Sequence, residues 1–191
     1  VAAGITDLRE RLAAEAALRD VVPYLPTDAI DVDLRRFADA TITTPTQTRP
    51  NRPIRRMLDL LGETEAVLLL SHAFNEQKLR LVRDRSVEGS LRTKGVFGAD
   101  AIDAVRETPD LRALLADIVA TEVAEIRVAA DPVPVAVEVT DDRTHLLLRD
   151  DEGIVRAALD TDDAAVREWA ETLHEEFWTA ATTLTAADLA G

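Results

Sequence analysis

Serine and histidine stand side by side at Ser71-His72, within the apolar run AVLLLSHAF over 66–74. With a carboxylate added, these residue types could run nucleophilic catalysis. Histidine would take the serine proton, an acid would orient the imidazole, and backbone N–H groups would hold the oxyanion. The spacing argues against that chemistry. Adjacent residues on a strand point to opposite faces, so Ser71 and His72 cannot partner each other there, and no G-x-S-x-G elbow surrounds the serine. A pocket-lining role suits the pair better, because ligands of α/β sheets gather beyond the carboxyl ends of parallel strands. The plain alternative for His72 is a strand-end imidazole with a satisfied hydrogen bond.

Two more residues join them as ligand-binding candidates. His145 falls on a run, THLLLR over 144–149, where alternation puts it on the same face as Leu147 and opposite Leu146 and Leu148. A half-buried histidine on a sheet face is usually structural, but it can also read a ligand. Arg149 ends the same run and could pair with an anionic group; the excess of acids favours a salt bridge to a neighbouring aspartate instead. No residue is assigned a catalytic role. GSLRTKG over 89–95 lacks the G-x-x-x-x-G-K-[ST] order of a phosphate loop. The aspartate pairs at 141/142, 150/151 and 162/163 lack the alternate-residue spacing of a calcium loop and read as turn formers and a helix start. No metal and no cofactor is expected.

The elements that must hold these residues are legible in part. Leu8, Leu12 and Ala16 share a stripe with Ile5 and Ala13, so residues 5–20 read as a helix, stopped by Pro23 and Pro26. A short helix over 31–38 and a short strand over 40–45 follow. Ile54, Met57, Leu58 and Leu61 keep i, i+3, i+4, i+7 spacing on a helix that Gly62 should stop. The run from residue 66 fits a strand buried on both faces. A helix over 75–85 and a strand over 87–98 complete a βαβ unit with parallel pairing. Residues 99–121 read as a helix broken at Thr108-Pro109. Several strands then follow in a row, with turns at 140–143 and at 150–153, where Gly153 can take positive φ. They read as an antiparallel meander appended to the α/β part. A long amphipathic helix over 162–183 closes the chain, with Val166, Trp169, Ala170, Leu173, Phe177, Ala181 and Leu184 on its apolar stripe and Glu168, Glu171, Glu175 and Glu176 facing away. The expected class is mixed α/β: a parallel-containing sheet flanked by helices, a meander in the C-terminal half and a long last helix.

Composition narrows the function classes. The 191 residues carry 36 acidic and 22 basic side chains, a formal net charge of −14. Only Lys78 and Lys94 among the basic residues are lysine. A carboxylate-rich, lysine-poor surface suits a protein that stays soluble in concentrated salt, where counterions screen the repulsion. Weak basic clusters at 49–56 and 78–86 lack interleaved aromatics and any helix-turn-helix pattern, so the chain alone is a poor nucleic-acid binder. It has no cysteine, hence no disulfide or thiolate metal site, and its three histidines are dispersed. No apolar run reaches membrane-spanning length, and no signal peptide opens the chain, so the default compartment is the cytoplasm.

Three stretches carry a resemblance: DLRRFADATITTPTQTRPNRPIRRMLDLL from Asp33, the β-rich region, and DTDDAAVREWAETLHEEFWTAA from Asp160. Asp39, Ala40 and Thr41 before a β-branched strand, the Pro-flanked helix from Ile54, the turn at Asp150, Asp151 and Gly153, and Asp162, Asp163 and Trp169 in the last helix are the matching features. The chain resembles the C-terminal part of haloarchaeal winged-helix transcriptional regulators, with the effector-type domain named after a methanogenesis regulator. That domain is distantly similar to phospholipase-D-like folds, as are TrmB-type sugar-sensing regulators. The H-x-K phosphodiesterase motif of those enzymes is missing, since Lys78 follows His72 by six residues.

The resemblance implies a connecting helix over 1–30, leading from a DNA-binding module outside this chain, and a sensor and dimerisation domain over 31–191. It implies a homodimer with its seam on the N-terminal or the last helix, an unidentified small-molecule effector near the strand ends, and DNA contact only through the missing winged helix. The rival readings are a small hydrolase or phosphodiesterase using Ser71 or His72, and a protein-interaction module without a ligand.

Overall fold

The computed structural model describes residues 15–190. Residues 15–21 are helical and run into a 3-10 turn at Val22–Tyr24, set by Pro23; the first part of the helix expected over 5–20 lies outside the described residues. The short helix expected over 31–38 is a 3-10 turn at Leu34–Phe37, capped by the Asp33 carboxylate, which accepts from Arg35 N–H at 3.0 Å.

One eight-stranded mixed sheet organises everything else. Its strands are β1 (Thr41–Thr43), β2 (Ala66–Ser71), β3 (Arg92–Gly98), β4 (Ala124–Ala129), β5 (Ala136–Val139), β6 (Thr144–Arg149), β7 (Val155–Thr161) and β8 (Thr182–Thr183), in the order β1-β7-β6-β5-β2-β3-β4-β8. β2, β3 and β4 are mutually parallel, joined by α2 (Glu76–Val87) and by the pair α3 (Ala99–Glu107) and α4 (Pro109–Val119). Every other pairing is antiparallel. The β-rich stretch divides: β4 extends the parallel set, while β5, β6 and β7 form the expected antiparallel meander, which docks onto β2 through β5. The break between α3 and α4 falls at Thr108, extended at φ −111° and ψ 101°, with Pro109 opening the second helix.

Each sheet face buries its own core, as the alternation of strand side chains requires. On one face Leu70, Val96, Val137, Val139, Leu146 and Leu159 meet the helix α5 (Ala164–Ala180) through Val166, Trp169, Ala170 and Trp178. Val21, Leu25, Ile30 and Phe37 seal the same core, and the Trp169 indole N–H donates to Ala29 O at 3.2 Å, tying that segment to the last long helix. On the other face Val67, Leu69, Phe97 and Ile126 meet Leu79 and Val82 of α2, Ile102 of α3 and Leu115 and Ile118 of α4. Beside them Met57, from α1 (Arg52–Glu63), covers Leu147 and Ala158. The spacing of Met57 and Leu61 predicts that buried stripe, but α1 does not stop at Gly62: it runs to Glu63 and ends where Thr64 turns extended. α5 is shorter than expected at its C-terminal end, and Leu184, beyond it, belongs to the opposite core with Leu189 of α6 (Ala186–Leu189).

Candidate functional site: a cavity at the carboxyl ends of two strands

β2 and β6 run in the same direction, since each is antiparallel to the β5 between them, so their carboxyl ends lie at one edge of the sheet. A cavity of about 390 Å³ opens there, a size ordinary for small-molecule pockets. Its apolar wall comes from Pro23, Leu25, Val135, Ala136 and Leu148, with the Tyr24 side chain beside them. His72, one residue beyond β2, and Arg149, the last residue of β6, both line it. Two of the four candidate residues thus meet where strand-end reasoning places a ligand.

The four are not one constellation. Ser71 faces a second, smaller space that it shares with Lys78, Asn75 and Arg149. Its hydroxyl is already committed to the local turn, donating to Ala73 O at 2.8 Å and accepting from Ala73 N–H at 3.3 Å. His72 stands exposed on the rim of the larger cavity. Desolvation on its cavity side, then the neighbouring Arg149 charge, push its pKa below the ordinary imidazole range. No hydrogen bond joins Ser71 to His72 among the described residues.

Arg149 departs from its expected pairing. The neighbouring Asp150 spends its carboxylate elsewhere: Oδ1 accepts from Glu152 N–H at 3.1 Å and Ile154 N–H at 2.8 Å, and Oδ2 accepts from Arg156 Nε–H at 2.7 Å. Gly153, at φ 79°, makes this turn possible, as the sequence predicts. Arg149 is left with one hydrogen bond, from Nη1 to Gly153 O at 2.7 Å. Its Nε is sealed from solvent and has no acceptor among the described residues. Burial lowers the guanidinium pKa, yet an arginine stays charged at any physiological pH.

His145 lies elsewhere, in a polar row that the sequence does not announce. Strand register places Leu69, Glu138, His145, Asp160 and Thr41 side by side across β2, β5, β6, β7 and β1. Glu138, His145 and Asp160 are only 3%, 1% and 1% exposed. The helices above supply counter-charges. Lys78 of α2 pairs with Glu138 Oε1, and Arg56 of α1 forks onto both Asp160 oxygens at 2.9 and 3.0 Å. Arg143 adds a third bond to Asp160 at 2.9 Å. His145 Nε2 sits 3.4 Å from Thr140 Oγ1, whose own proton goes to Arg143 O, which assigns the imidazole proton to Nε2. Nδ1 and Glu138 Oε2 have no hydrogen-bond partner among the described residues. Burial holds the His145 pKa below the ordinary range. His145 is thus a core imidazole and does not reach the cavity. Only the pairing register, a non-local property, could have disclosed this row. Lys78 lines the small space beside Ser71 and Arg149, so the row abuts the candidate site.

No group of histidines, cysteines and carboxylates among the described residues could hold a metal ion. Fold and cavity together define a mixed α/β domain with a cavity at its strand ends. Residues 50–180 match the family described as methanogenesis regulatory protein FilR1, middle domain, and the chain belongs to that family. It carries a regulator-type domain of a transcription factor. No curated protein matches the chain. Among solved structures it is similar to TrmBL2, an archaeal chromatin protein with a novel mode of DNA binding. The TM-score is 0.59 at 14% identity, over 94% of this chain and 66% of that one. It is also similar to Nuc, a phospholipase D family member from Salmonella typhimurium, with TM-score 0.60 at 8% identity over 77% of this chain and 99% of that one. NucT from Helicobacter pylori gives 0.54 at 9% identity over 76% and 99%. At such identities these likenesses speak for the fold alone, and the chain spans 66% of the length of TrmBL2. No helix among the described residues is long and apolar enough to cross a membrane.

Proposed function

We propose that this chain is the effector-sensing and dimerisation domain of a cytoplasmic, salt-adapted transcriptional regulator, and that it is not an enzyme. The observation that carries this reading is the cavity at the carboxyl ends of β2 and β6, with His72 and Arg149 converging on apolar walls. The effector binds there and favours one geometry of a homodimer, which resets the spacing of two attached winged helices on successive DNA half-sites. DNA binding by TrmBL2 agrees with such a role for the longer protein. Against catalysis stand the Ser71 hydroxyl, bonded on both sides to Ala73, and the absence of an H-x-K spacing at His72. The phospholipase-D-like fold keeps the phosphodiesterase alternative in view, and a panel of generic phosphodiesters and esters tests it: no turnover is expected.

The sensing claim is tested by melting the 191-residue chain against a metabolite library in molar KCl. A ligand bound only by the folded state must raise the melting temperature. A hit is expected, and Ala136→Trp, which fills the cavity from its β5 wall, should abolish the shift. A library without hits, or hits unaffected by filling the cavity, would count against the reading.

A further inference from the structure

We infer that the effector is a small organic acid, whose single carboxylate lies against Arg149 while its apolar body fills the space between Tyr24, Leu25 and Ala136. This inference rests on the reading of the cavity as the effector site.

Arg149 is the starting point. In a chain with 36 acidic residues, several arginines find carboxylates: Arg56 and Arg143 take Asp160, Arg156 takes Asp150, and Arg83 takes Asp117, while Arg52 and Arg92, which have no ion pair among the described residues, are exposed to water. Arg85, also without a carboxylate, has its donors spread over four backbone carbonyls and a hydroxyl. Arg149 has neither kind of satisfaction. It makes one bond to Gly153 O, its Nε is an orphaned buried donor, and its Nη2 donates to no described residue. A half-buried guanidinium whose Nη2 is unused at a cavity wall is a site for a planar anion, because the Nη edge of its fork matches a carboxylate edge.

The charge count of the cavity selects the anion. Among the described residues Arg149 is the one arginine or lysine that lines it. Asp150 is neutralised by Arg156 and saturated by its turn, whereas Asp151 has no ion pair among the described residues and faces the same space. A phosphate dianion would meet one cation and one free carboxylate. A monoanion matches Arg149 in charge and meets less repulsion from Asp151. Pro23, Leu25, Val135, Ala136 and Leu148 form a wall without polar side chains, against which an aromatic or branched aliphatic body packs, while Tyr24, His72, Asp150 and Asp151 line the polar remainder of the cavity.

The test titrates the 191-residue chain with phenylacetate and isovalerate, with phenylacetamide and isovaleramide as neutral isosteres and phenyl phosphate as the dianion. The readout is the arginine Nε–H region of a 15N–1H spectrum, together with cavity backbone amides. The Arg149 Nε–H is shielded from water, so its proton exchanges slowly enough to be followed. Carboxylates should move this signal and bind at least about ten-fold more tightly than their amides. Arg149→Gln should erase that preference, and Arg149→Lys, which keeps the charge without the fork, should restore part of it. His72 gives a second readout. The other charged and titratable groups lining its cavity are Arg149, Asp150, Asp151 and Tyr24. A bound anion favours protonated His72, so carboxylate affinity should rise as pH falls from 8 to 6, and His72→Gln should flatten that rise. Amides binding at the cavity as tightly as the acids, or phenyl phosphate outcompeting both, would overturn the organic-acid assignment and leave the sensor reading standing. If no probe moves any cavity resonance at tens of millimolar, the assignment fails with the sensor reading.

Discussion

Lys78→Met should be the most damaging single truncation in the polar row. The Lys78–Glu138 pair is buried on both sides, with side-chain exposures of 12% and 4%. A surface pair would be worth about 0–1 kcal/mol. Here the variant strands a carboxylate that is 3% exposed and whose Oε2 already lacks a partner. Breaking one side of such a pair costs about 3–5 kcal/mol. At about 2–4 °C per kcal/mol for a domain of this size, the melting temperature should fall by about 6–20 °C. Glu138→Met should cost less, because an ammonium on α2 can swing its flexible stem toward water. The double variant Lys78→Met/Glu138→Met should recover most of the loss, since a buried pair replaced by apolar side chains of similar volume is close to neutral. The assay is urea unfolding followed by helical circular dichroism at fixed KCl, so that the denaturant leaves ionic strength unchanged. A Lys78→Met loss below about 1 kcal/mol, or a double variant no better than the single one, would refute the view that Glu138 is held as a buried ion by Lys78.

Other predictions address different parts of the molecule. His145 and His174 are both buried, and desolvation first of all holds each pKa below 6.5; His174 Nε2 also sits 3.1 Å from Lys94 O. The unfolded chain therefore takes up these protons before the folded one. Stability should be flat above about pH 7 and fall as pH drops through the unfolded value, by up to about 1.4 kcal/mol per pH unit for each histidine. His174→Phe should make that slope shallower in melts from pH 8 to 5, whatever its offset at pH 8. Gly153→Ala forces a positive φ on a residue with a Cβ and should cost about 1 kcal/mol. It should also shift the Arg149 Nε–H resonance, because Gly153 O accepts from Arg149. With a net charge of −14, the melting temperature should climb steadily between 0.1 and several molar KCl, and a salt-independent melt would remove the halophile reading. Light scattering in molar KCl should report a dimer; a strict monomer would contradict the dimerisation proposal.

What the sequence discloses is local. The stripe of Met57 and Leu61, the break at Thr108-Pro109, the positive φ of Gly153 and the face of α5 that buries Val166, Trp169 and Ala170 all follow from periodicity and turn chemistry, and the molecule has them; that Trp178 is buried beside them does not. The strand-end position of His72 is also legible, because sheet polarity follows from the βαβ pattern, whereas its meeting with Arg149 depends on β5 docking between β2 and β6. Pairing between distant strands is not. β5 could have followed β4 in an added meander, but it returns to β2, and nothing in AVEV distinguishes an edge to be extended from an edge to be joined. The row of Glu138, His145 and Asp160 is set by that same pairing, so three polar residues that look like solvent-facing members of alternating strands are core residues with helix-borne counter-ions. Arg149 shows the limit of composition. An excess of acids raises the chance of a salt bridge, but the nearest carboxylate serves its own turn, and which lone pairs are free depends on the geometry of Asp150 to Ile154.

Mapping a library hit onto the backbone amide spectrum of the chain tests the central claim most directly. The account predicts perturbations centred on Tyr24, His72, Ala136 and Arg149, saturating with the same affinity as the thermal shift. Perturbations centred instead on the groove between Val32 and Trp169, with the strand-end cavity silent, would contradict it.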